Sequence, residues 1–106
     1  MNREEIIETI KASYSREVRK GLVRSIVEQE KKEDELAILK QYKIINQIFS
    51  YVLQQSGWKM GENSGSWDSS PLGIMTDIFP KLSTTKWYEE QKLTANQNVE
   101  VQVREK

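Results

Sequence analysis

With 106 residues, 30% of them charged, and neither cysteine nor histidine, the chain has room for one domain with a modest core. The missing cysteines exclude disulfides, thiolate catalysis and cysteine zinc sites, and the missing histidines remove the commonest general base and metal ligand. The 16 basic residues balance 16 acidic ones, so no global field draws the chain to nucleic acid or an anionic membrane, and little net charge opposes self-association.

Val, Ile, Leu and Phe make up about a quarter of the chain, above the ~20% level at which disorder becomes the default. The opening MNREEIIE is charged at once and lacks the apolar run of a signal peptide. The longest apolar run, from Leu36 to Leu39, is far short of the ~20 residues that span a bilayer. The expected setting is cytoplasmic, without membrane contact.

A first long helix is expected over about residues 3–31. Glu4, Glu5 and Glu8 favour its start, where the positive end of the dipole attracts anions. Ile7, Ile10, Tyr14 and Val18 share one face, and four-residue steps then continue through Leu22 to Ile26. Such steps drift the face by about 160°, so a break or kink is expected near Ser13–Ser15 or at Gly21. Ser13 or Ser15 is a suitable cap for a fresh helix. Residues 28–35, EQEKKEDE, contain no glycine or proline. A tight turn with Asp34 capping the next helix is favoured over continuous helix, and Glu28 with Lys32 forms a favourable four-residue pair.

The second long helix, about residues 34–56, carries the strongest signal. Ile38, Tyr42, Ile45, Phe49 and Val52 recur at helical spacing, flanked by Ile44, Ile48, Tyr51 and Leu53. The apolar arc covers roughly 200°, about twice what a surface helix needs. A central helix whose face is shared with a second copy of the chain is the expectation.

Composition changes at Ser56. Residues 57–73 form a Gly/Ser/Trp loop, long enough to suggest a functional role. Ser70 and Pro71 read as a cap and first helical residue, opening a short helix over about 71–79 that Pro80 stops. A second short helix is expected over about 85–92, after the Ser83–Thr85 start signal. Val99, Val101 and Val103 alternate as in a short strand over about 98–103. The expected fold is a mostly α small helical bundle, one domain over 1–106, with a long-helix part (1–56), the loop (57–73) and a C-terminal part (74–106).

Four groups of residues could carry function. Arg16, Arg19, Lys20 and Arg24 form a basic helix face suited to phosphates, though without interleaved aromatics for base stacking, so a solvated face is the stronger reading. The acidic run Glu28, Glu30, Glu33, Asp34 and Glu35 lacks the spacing of a calcium loop and reads as a solvated turn. Trp58, Trp67 and Asp68 mark the loop as a candidate ligand grip, but the loop has no phosphate-binding lysine motif. Asp68, Asp77, Glu89 and Glu90 are the available carboxylates, and nothing in their spacing pairs them for catalysis. No cofactor and no metal are expected.

The unpaired strand with Val99, Val101 and Val103 is suited to joining an edge in another subunit. A helical pair followed by such a strand resembles the plan of small oligomeric packaging and regulatory proteins of phages, which implies a self-assembling subunit. The expectation is therefore a non-catalytic, self-associating helical interaction protein with a structural or regulatory role. Its interface would hold Ile38, Tyr42, Ile45, Phe49 and Val52 with the three strand valines. The alternatives are a nucleic-acid-binding oligomer using Arg16–Arg24 and a small-ligand binder at the loop.

Overall fold

The structure, a computed structural model, describes residues 2–56 and 71–94. These residues are mostly helical, with no strand among them. Helix α1 spans Arg3–Ser13; Asn2 caps it, its side chain accepting the Glu5 N–H at 2.9 Å. The chain is extended at Tyr14. It re-enters helix as α2, Arg16–Lys32, with the Ser15 hydroxyl accepting the Val18 N–H at 3.2 Å.

The helical stretch expected over 3–31, with a break or kink near Ser13–Ser15 or at Gly21, is thus two helices. The break falls at the serine cap, while Gly21 sits inside α2. Separating the helices lets each turn its own apolar side inward, which one straight helix with a drifting stripe cannot do. On α1 the buried pair is Ile6 and Ile10, with Ile7 half-buried, and Val18 beyond the break is exposed. The expected Glu28–Lys32 pair gives way to an exposed contact from Arg24 to Glu28 at 3.1 Å.

Glu33 closes α2 in the left-handed conformation, φ 57° and ψ 27°. The Asp34 carboxylate then accepts the Ala37 N–H at 3.1 Å at the start of α3, Glu35–Ser56. This is the expected hairpin, and α2 packs along α3. Helix α4, Pro71–Ile78, begins at the proline, so residues 71–73, assigned with the loop in the domain division, are helical. Its Pro71, Leu72, Gly73, Ile74, Met75 and Ile78 are all buried, as five successive residues without a polar side chain at its start require. It lies against α1 and α3. The exposed Asp77 at its end pairs with Arg3 of α1.

A 3-10 turn, Leu82–Thr84, follows. The last helix, α5, runs over 86–94 within the described residues. One core joins Ile6, Ile10, Val23, Ile26, Ile45, Phe49, Val52, Met75, Phe79, Leu82 and Trp87. The expected strand over 98–103, with Val99, Val101 and Val103, lies outside the described residues, as do Trp58, Trp67 and Asp68. Among the described residues no helix is long and apolar enough to cross a membrane.

Candidate functional site

The first amides of any helix lack partners inside it. At the start of α5 three consecutive amides are satisfied, two by side chains of other helices and the third by Thr85, the residue that precedes α5. The Lys86 N–H donates to Glu30 Oε1 of α2 at 2.9 Å. The Trp87 N–H donates to the Tyr42 hydroxyl of α3 at 3.1 Å. The Tyr88 N–H donates to Thr85 Oγ1 at 3.3 Å, while that buried hydroxyl itself donates to the Leu82 carbonyl at 2.6 Å. Tyr42 closes the network by donating its own hydroxyl hydrogen to Glu30 Oε1. A carboxylate from α2 thus sits at the positive end of the α5 dipole, where an anion is stabilising.

Burial, Glu30 and, least, the negative charge of Glu90 raise the Tyr42 pKa well above the ordinary phenol value. Burial is the largest cause, and the hydrogen bond and negative charge of Glu30 come next; the Trp87 N–H bond opposes them. The phenol is therefore held as a proton donor to Glu30 across the normal pH range.

Trp87 carries the network into the core. Its ring is buried, its Nε1 donates to Asn46 Oδ1 at 2.6 Å, and it meets Phe49 edge-to-face with centroids 5.3 Å apart. An indole buried in this way needs its N–H satisfied, and Asn46 satisfies it.

Beside the network, α3 and α5 enclose an open cleft of about 510 Å³. Tyr42, Asn46 and Trp87 line it together with Leu39, Lys43 and Gln47 of α3 and Glu90 of α5. The cleft combines one aliphatic side chain, two aromatic ones, amide groups, one cation and one anion. Such a lining offers both apolar contacts and polar partners to a bound molecule. Among the described residues no group of three or more carboxylate, histidine or cysteine side chains is arranged to hold a metal ion.

The residues singled out in the sequence are placed as follows. Ile45, Phe49 and Val52 are buried in this chain's own core, Ile38 is half-buried, and Tyr42 faces the cleft. The arc assigned to a second copy is covered from within, by α1, α2, α4 and Trp87. Three large aliphatics of α3 stay exposed: Leu36 at 67% and Leu39 at 63%, three residues apart on one side, and Ile44 at 39%, about 140° round the helix from Leu39.

The basic face is divided. Arg16 and Lys20 are exposed, but Arg24 pairs with Glu28, and half-buried Arg19 donates from Nη1 to the Ile78 carbonyl at 3.5 Å. That carbonyl ends α4, where the dipole favours a cation. Two of the four basic residues are thus engaged inside the chain, and the phosphate-binding face is reduced accordingly.

Periodicity did not point to Glu30, Asn46, Lys43, Trp87 or Glu90 as one site. Glu30 lay in a charged run and Asn46 on a polar arc. The signal for Trp87 was local: an indole one residue into a helix that follows Ser83–Thr85. Comparison of the chain with family models, with curated proteins and with solved structures yields no match.

Proposed function

We propose that the protein is a non-catalytic helical interaction module that self-associates, with a structural or regulatory role. One observation carries this reading: Leu36 and Leu39 remain 67% and 63% exposed on α3 while Ile45, Ile48, Phe49 and Val52 of the same helix are buried in this chain's own core. Large aliphatic side chains left exposed three residues apart on one helix, one of them lining a cleft, mark an association surface. The absence of histidine and cysteine from the sequence and the recognition-type lining of the cleft support a binding role over turnover. The surface proposed here differs from the Ile45–Phe49–Val52 face expected from periodicity, because that face already serves the core.

Light scattering behind size exclusion, over a concentration series, tests the proposal. A particle of twice the 12.4 kDa chain mass or larger, persisting at high salt, is the expected result. A particle at the chain mass at every concentration contradicts it.

A further inference from the structure

The two walls of the α3–α5 cleft carry opposite charges. Lys43 lines it from α3 and Glu90 from α5. Both side chains are exposed, and neither takes part in an ion pair among the described residues. Leu39 lines the same cleft and Leu36 is exposed one turn before Lys40 on α3. The cleft thus holds an apolar edge, an unmatched cation and an unmatched anion in one small area.

From this juxtaposition we infer that the cleft is the site at which a second copy of this chain docks, across a two-fold axis, with Lys43 of each copy against Glu90 of the other. The inference rests on the self-association proposed above and names its surface. In a two-fold contact, residue i of one copy meets residue j of the other and the reverse holds as well. Docking α3 on α3 about an axis near Lys40 and Lys43 would bring these lysines of the two copies together, and like charges placed together are unfavourable. Docking α3 on α5 instead forms the same unlike pair twice. Leu36 and Leu39 leave water in that arrangement, which supplies the non-directional part of the attraction. Gln47 and Gln91, both in the lining, provide the polar rim that such interfaces carry. Charge complementarity therefore selects a second copy over an unrelated occupant.

Sedimentation equilibrium on the full chain tests this with Lys43→Glu, Glu90→Lys and the double exchange, each confirmed helical by circular dichroism. Both positions are exposed, so the fold survives either change. The wild type is expected to dimerise, each single exchange to weaken the dimer about tenfold or more, and the double exchange to restore it to within about threefold, since paired changes at contacting sites are not additive. A wild-type dimer left unchanged by either single exchange overturns this interface while self-association stands. Weakening by both singles without restoration in the double overturns the crossed pairing. A wild type that is monomeric throughout overturns both proposals and leaves the cleft to a different polypeptide or a small zwitterionic solute.

Discussion

Trp87 Nε1 and Asn46 Oδ1 lie 2.6 Å apart, and this bond fixes how α5 meets α3. It satisfies the indole while the ring fills the core against Phe49. It also sets the angle at which Glu90, on the same helix, lines the cleft. Core and cleft share one side chain. Trp87→Ala is expected to destabilise by about 3–5 kcal/mol, the usual range for a buried tryptophan. Asn46→Ala, which leaves the indole N–H unsatisfied, is expected to cost about 1–3 kcal/mol. Urea unfolding followed by circular dichroism measures both.

Glu30 acts on α5 from another helix. Glu30→Ala removes the acceptor of the Lys86 N–H and the partner of the Tyr42 hydroxyl, and a loss of about 1–2 kcal/mol is expected, as for helix caps. Hydrogen exchange localises the effect: the amides of Lys86 and Trp87 should exchange faster, while those of α4 should follow only the global loss.

Tyr42 gives the fold an alkaline limit. Its pKa is raised in the folded chain, chiefly by burial and then by Glu30, so the folded state holds this proton more tightly than the unfolded state. The stabilisation is complete below the ordinary tyrosine range and is lost as the pH rises above ~10. Tyr42 should resist ionisation in a phenolate absorbance titration of the native protein. Tyr42→Phe should abolish that late step, flatten the decline of stability above ~pH 10, and lower stability at neutral pH by about 1–3 kcal/mol through the lost hydrogen bonds.

Gly21 offers the opposite sign. It lies in the interior of α2, is exposed, and a Cβ built there meets nothing within 4 Å. Gly21→Ala should therefore stabilise by about 0.5–1 kcal/mol through the lower entropy of the unfolded chain. An upward shift in the thermal midpoint, with helicity unchanged, checks it.

The local grammar of this fold was legible in the sequence. The Asp34 cap, the serine cap between the first two helices, the start at Pro71 and the apolar stripe of α3 all depend on neighbours within four residues. What closes over that stripe does not. Pro71–Ile78 is too short for its periodicity to show that its first five residues are all buried, so from the sequence the width of the α3 arc calls for a second copy, whereas α4 and Trp87 pack on it within the chain. The Glu30–Lys86 bond spans 56 residues and the Trp87–Asn46 bond 41. No spacing rule connects positions so far apart, and Glu30 looked like one member of a solvated acidic run. The edge that remained exposed, Leu36 and Leu39, was counted within the four-residue apolar run and not as a surface of its own.

The central claim is that α3 uses one edge for its own core and the other for association. Leu39→Glu and the wild type, compared by light scattering at matched concentration, test it most directly. The prediction is a wild-type dimer and a monomeric variant that keeps its helicity and its cooperative melt, because Leu39 is 63% exposed and outside the core. A Leu39→Glu protein with the wild-type mass, or one that loses its fold, would contradict it.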